Sequence, residues 1–123
     1  MIAQIDTSGI NIDIGDDIKK YIAQKIGRLD KYMPRHARKT ARAEAKLRET
    51  NNRLGNKYEC EVLLHLPGGV IQAKESTLNM FAAVDIVEAK LKNQLFKYKS
   101  AHIAHLHERH PGFIGRLKVR FLQ

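Results

Sequence analysis

Along residues 76–101, STLNMFAAVDIVEAKLKNQLFKYKSA, apolar side chains recur at Met80, Val84, Val87, Leu91, Leu95 and Tyr98. At about 100° per residue they fall in one narrow stripe, the pattern of an amphipathic helix with one face turned to a core. Ser76 or Thr77 stands where a hydroxyl caps the first turn, and neither Gly nor Pro interrupts the run. An earlier stripe, Ile18, Ile22, Ile26, Leu29 and Met33, predicts a second helix. Asp16 and Asp17 sit at its start, where carboxylates suit the positive end of the helix dipole. Pro34 ends it, because the residue ahead of a proline is pushed out of helical geometry.

Elsewhere the period is two. Ile2 to Thr7 reads as a strand, Ser8-Gly9 as a break, and Ile10, Ile12 and Ile14 as an extended lead-in to the first helix. In Ala37 to Arg48, propensity favours helix, but Ala41, Ala43, Ala45 and Leu47 alternate with Arg42, Glu44, Lys46 and Arg48. A helix would scatter those alanines around its cylinder, whereas a strand gathers them on one face, so a strand is expected. The polar run Thr50 to Asn56 fits a hairpin connection. Tyr58, Cys60, Val62, Leu64 and Leu66 then alternate with Glu59, Glu61 and His65, and Pro67-Gly68-Gly69 turns the chain into a last strand, Val70 to Glu75. The order β-α-β-β-β-α predicts an α+β fold, a four-stranded sheet with two helices packed on one face. The opposite sheet face would carry Arg42, Glu44, Lys46, Arg48, Glu59 and Glu61, mixed signs that suit cross-strand pairing better than a uniform binding plate.

Composition narrows the function. A chain of 123 residues, 43% hydrophobic, holds one core. The expected division is an α+β domain over 1–101 and a basic, His-rich tail over 102–123. Lys and Arg outnumber Asp and Glu by 22 to 13, a formal charge of +9 that points to a polyanionic partner. A membrane is the weaker candidate, since no apolar run nears the roughly 20 residues of a span, and MIAQIDTSG lacks the features of a signal peptide. A cytoplasmic protein is expected. The lone Cys60 lies in the apolar phase of a strand, which predicts burial over reactivity. No nucleophile elbow, phosphate-binding glycine loop or metalloprotease helix is present, so no enzyme and no cofactor or small-molecule substrate is expected. His102, His105, His107 and His110 lack thiolate or paired carboxylate company, and no metal site is assigned to them.

The basic residues have a pattern of their own. In the first helix Tyr21, Lys25, Arg28 and Tyr32 form one row, readable as RNA contacts or as core-rim tyrosines with snorkelling cations. In the last helix Lys90, Asn93 and Lys97 lie on one flank of the apolar stripe, with Lys92 and Lys99 on the other. The runs IDIGDDIKKYIAQKIGRLDKY (12–32) and NMFAAVDIVEAKLKNQLFKYK (79–99) resemble the family of ribosome hibernation-promoting factors and ribosome-associated translation inhibitors. The resemblance covers roughly residues 4–100. It rests on Lys25, Arg28, Leu29 and Lys31, then on Asn79 to Asp85, Lys90, Leu91, Lys97 and Lys99. The family often has Arg where this chain has Asn93, and a Thr helix cap where it has Gly15. No second domain like that of the long members follows, so the chain looks like a short form.

The resemblance independently implies the β-α-β-β-β-α fold. It further implies binding to the small ribosomal subunit and its ribosomal RNA, over the messenger RNA and transfer RNA sites of idle ribosomes. Lys25, Arg28, Lys31, Lys90, Lys97 and Lys99 would meet phosphates, with Lys92 and Asn93 beside them. Two other readings compete: a general binder of structured RNA, or a protein-interaction module whose tail adds a strand to a partner.

Overall fold

A computed structural model describes residues 1–50, 55 and 57–107, with the side chains of 101–107 left aside. Strand β1 (Gln4–Ile10) leads to helix α1 (Asp16–Gly27), which tightens into a 3-10 segment (Arg28–Tyr32). A single helical turn α2 (Arg35–Arg38) precedes strands β2 (Arg42–Glu49), β3 (Tyr58–Leu66) and β4 (Gly69–Thr77), and helix α3 (Met80–His107) closes the order. The sheet runs β1-β2-β3-β4, with β1 parallel to β2 and the remaining pairs antiparallel. This is the expected α+β fold. The parallel pair is joined by α1, as a crossover between parallel strands requires.

Alternation along the strands sends one set of side chains to the helices. Ala43, Ala45 and Leu47 of β2, Cys60, Val62 and Leu64 of β3 and Ala73 of β4 are buried. They meet Ile18, Ile22, Ile26 and Leu29 from the α1 side and Ala83, Val84, Val87, Leu91 and Leu95 from α3. The alanines of β2 let the helices sit close over the middle of the sheet. Met80 and Tyr98, at the two ends of the expected stripe, pack against this core only partly buried. Cys60 is fully buried, and burial with Glu59 and Glu61 nearby pushes its thiol up to about 12, so it is an inert core side chain.

Several boundaries differ from those the sequence predicts. Ser8-Gly9 does not break β1: pairing with β2 continues through Gly9↔Leu47 to Ile10↔Arg48. The glycine is there because the chain doubles back over it; a Cβ at Gly9 would lie 2.4 Å from the Ile12 carbonyl oxygen. Asn11 makes that reversal with φ of 58°, a left-handed conformation Asn tolerates. Residues 35–38 form a turn of helix, so only Arg42 onward is strand. The last helix starts at Met80, not near Ser76, because β4 pairs with β3 as far as Thr77. Its cap is Asn79, whose Oδ1 accepts the Phe81 N–H at 2.8 Å, while the Thr77 hydroxyl accepts the Asn79 N–H at 3.0 Å and donates to the Asn79 carbonyl. The helix also runs on to His107, past the end expected near Ala101.

Two turns follow the predictions. Met33 is extended ahead of Pro34, with ψ of 150°. Between β3 and β4, Pro67 and Gly68 form a two-residue connection in which Gly68 has φ of 86°, the positive value a type II turn asks of its third residue. The β2–β3 hairpin is closed by the Thr50 N–H to the Lys57 carbonyl at 2.6 Å, but most of the expected loop lies outside the described residues. So do the last histidine, His110, and the basic residues that follow it.

Candidate nucleic-acid interface

Helices α1 and α3 lie side by side on the sheet, and the row predicted on α1 fills the seam between them. The Tyr21 hydroxyl donates to Asp85 Oδ1 at 2.5 Å, and Lys25 Nζ lies 3.6 Å from the same oxygen. Arg28 presents a fork to Glu88, with Nε to Oε2 at 2.9 Å and Nη2 to Oε1 at 3.3 Å. This two-point geometry holds the guanidinium in a fixed plane and leaves its other N–H groups available to an acceptor. Tyr21 packs edge to face on Phe81, ring centroids 5.0 Å apart. The row is therefore both rim of the core and ion-pair ladder, and both of its cations already have carboxylate partners. The Asp85 hydrogen bond, followed by burial and the Asp85 charge, pushes the Tyr21 phenol above its usual range.

The seam changes character at its far end. Tyr32 meets Phe96 edge to face at 5.6 Å, and the Lys31 and Lys92 ammonium groups lie 5.1 and 4.9 Å from the Tyr32 ring centroid. Burial pushes the Tyr32 phenol up, but hydrogen bonds from Lys92 and Lys31 and their positive charges outweigh it, so it titrates below the usual range. Helical spacing puts Lys99 on the same edge of α3, seven residues after Lys92. Lys25, Arg28, Lys31, Lys92 and Lys99 thus line one seam.

Lys90, Asn93 and Lys97 belong to the other flank, over β4. Lys90 Nζ bonds Glu75 Oε2 at 2.6 Å and the Lys74 carbonyl at 3.1 Å, and Gln94 Nε2 donates to the Gln72 carbonyl at 2.7 Å. These side chains satisfy edge carbonyls of β4, and the Lys90 bond holds the Glu75 carboxyl below its usual range. Lys90 is thus tied to the sheet. Asn93 and Lys97 are exposed beyond it. The eight predicted residues form two edges of one helical layer, not a single cluster. Among the described residues, no carboxylate lies within 4 Å of Lys31, Lys92, Lys97 or Lys99.

Periodicity missed Phe96. It stands off the core stripe, on the outer side of α3, and is 47% exposed. An aromatic at a position that helical phase turns to solvent was the available signal. The other sheet face pairs its charges across strands only in part, since Arg42 meets Glu44 along β2 and neither Lys46 nor Glu61 forms an ion pair among the described residues. Arg48 Nε lies 3.2 Å and Lys74 Nζ 3.8 Å from Glu59 Oε1, and Arg42 and His65 reach Glu44 at 3.4 and 3.5 Å. No group of three His, Cys, Asp or Glu able to hold a metal occurs among the described residues, and no helix in them is long and apolar enough to cross a membrane.

Fold and surface together define a small α+β domain whose helical layer carries Lys31, Lys92, Lys97 and Lys99 without carboxylate partners among the described residues. Residues 5–102 match the model of the family described as sigma 54 modulation protein / S30EA ribosomal protein, and the chain belongs to that family. A ribosome hibernation promotion factor from Deinococcus radiodurans is 32% identical over 104 residues, covering 85% of this chain and 53% of the relative. A ribosome hibernation promoting factor from Azotobacter vinelandii is 30% identical over 100 residues, covering 81% and 86%. The chain spans about half the length of most of these curated relatives. Among solved structures, the N-terminal domain of Protein Y from Thermus thermophilus superposes with a TM-score of 0.63 at 27% identity, over 79% of this chain and 97% of that one. A ribosomal subunit interface protein from Coxiella burnetii, at 24% identity and a TM-score of 0.66, shares the fold.

Proposed function

We propose that this protein is a cytoplasmic ribosome hibernation factor that binds the small ribosomal subunit through its helical layer and occupies the messenger RNA and transfer RNA sites of idle ribosomes. The observation that carries this reading is the asymmetry of the two faces. Lys31, Lys92, Lys97 and Lys99 stand on the helices without carboxylate partners, while on the open sheet face Arg48 and Lys74 share Glu59 across strands and Arg42 pairs with Glu44 along β2, with Lys46 left unpaired there among the described residues. Ribosomal RNA is a dense array of phosphates, and binding cations release condensed counterions, so the unpartnered lysines would contribute most. Arg28 and Lys25 add directed contacts from positions fixed by Glu88 and Asp85. Names borne by relatives in the family support the ribosome as partner. The protein acts by occupancy and no catalytic step is assigned to it.

Sedimentation with purified subunits tests the reading. The protein is expected to travel with the small subunit and to lower transfer RNA binding there. Lys92→Glu with Lys99→Glu should abolish co-sedimentation at moderate salt, while Lys46→Glu on the open sheet face should leave it intact. A protein that stays at the top of the gradient, or that Lys46→Glu releases as readily, overturns the proposal.

A further inference from the structure

The far end of the α1–α3 seam holds more than charge. Phe96 projects from the outer side of α3 with nearly half its surface exposed, an unfavourable placement for a large aromatic unless something covers it. The Tyr32 ring supports it from one side at 75° between ring planes, which fixes the orientation of the Phe96 ring. Lys92 precedes it by one helical turn and Lys99 follows by one, so along α3 the order is cation, aromatic, cation. Lys31 adds a third ammonium beside Tyr32.

An exposed, braced aromatic ring between cations spaced along a helix has the chemistry of a single-stranded nucleic-acid platform, in which a base stacks on the ring and the flanking phosphates meet the lysines. An apolar protein surface would cover Phe96 equally well, but it would have to bury Lys31, Lys92 and Lys99 without carboxylates in reach. The charge therefore favours RNA. We infer that Phe96, braced by Tyr32 and flanked by Lys31, Lys92 and Lys99, is a stacking site for one unpaired nucleobase of the bound RNA. The site rests on the ribosome reading above and deepens it: the contact is with a base out of its helix as well as with backbone. Because every base has a π face, the site is tolerant of sequence.

The experiment compares two labelled probes across a salt series, a uridine octanucleotide and the same backbone carrying abasic sites. Wild-type protein should prefer the uridine probe. Phe96→Ala should weaken uridine binding roughly 5- to 150-fold, the range for removal of one stacked base, with the salt slope unchanged and the abasic probe unaffected. Phe96→Leu should behave like Phe96→Ala, and Phe96→Trp should match or exceed wild type. Lys92→Gln should lower the salt slope by about one on both probes. Thermal melting of each variant checks folding, which an exposed position leaves intact. Equal binding of both probes by wild type, or Phe96→Leu that binds as wild type does, overturns the stacking site. Sedimentation of the wild type with the small subunit decides the ribosome reading separately, since that measurement does not involve Phe96 variants. Loss of self-association or of protein capture in Phe96→Ala, with oligonucleotide binding unchanged, would instead assign the ring to a protein partner and overturn the inference.

Discussion

At the scale of single residues, burial and partners separate side chains that look alike in sequence. Leu91 is fully buried between α3 and the sheet, so Leu91→Ala should cost about 2–5 kcal/mol in denaturant unfolding. A change near zero would mean that the helix presents another face to the core. Lys97, exposed on the same helix, should tolerate substitution within about 0.5 kcal/mol. The tyrosines make a sharper contrast. Tyr21 donates to a carboxylate, which favours its neutral form, whereas Tyr32 lies beside two ammonium groups that favour its phenolate. In an absorbance titration Tyr32 should ionise below the usual value of about 10 and Tyr21 above it. Lys92→Ala should move the early transition up and leave the late one in place; a single unresolved transition for all tyrosines would contradict this geometry.

At the scale of elements, the ends carry information that periodicity lacks. The core stripe of α3 was legible because side chains at three- and four-residue spacing share a face whatever surrounds them. Its start was not. Ser76 and Thr77 have the chemistry of caps, but β3 offers them a ladder, and strand pairing takes them into β4. The cap passes to Asn79, so Asn79→Ala should lower stability by about 1 kcal/mol in thermal or chemical unfolding. A decrease below about 0.3 kcal/mol would return the cap to Thr77. The start of α1 follows the same logic. Gly15 gives no side-chain cap, and Asp16 and Asp17 supply the negative charge of the first turn.

At the scale of the whole molecule, the expectation is electrostatic. Ribosome affinity should fall steeply with salt, and plotting its logarithm against that of salt concentration should give a line. Deleting residues 108–123 removes Arg109, Arg116, Lys118 and Arg120 against Glu108. Because the side chains described as packing the core end at Tyr98, the shortened chain should melt where the full one does, while its salt slope falls by roughly one for each phosphate that the tail no longer neutralises. An unchanged slope with a lowered melting temperature would make the tail a structural part of the fold.

The order of elements, the two helical stripes, the inward set on each central strand and the mixed charge of the open sheet face were determined by the sequence itself, because each follows from a local period of 3.6 or 2. The family likeness was also legible there, in the runs 12–32 and 79–99. Tertiary structure decided what depends on neighbours remote in the chain. The pairing of β1 with β2 kept Ser8 and Gly9 in a strand, since a ladder partner outweighs local turn preference. The same remoteness governs the surface. Charge alone made Lys25, Arg28, Lys90 and Lys92 equivalent, and only the packing of α1, α3 and β4 set the first two against Asp85 and Glu88, tied Lys90 to Glu75, and left Lys92 beside Tyr32 near the exposed ring of Phe96.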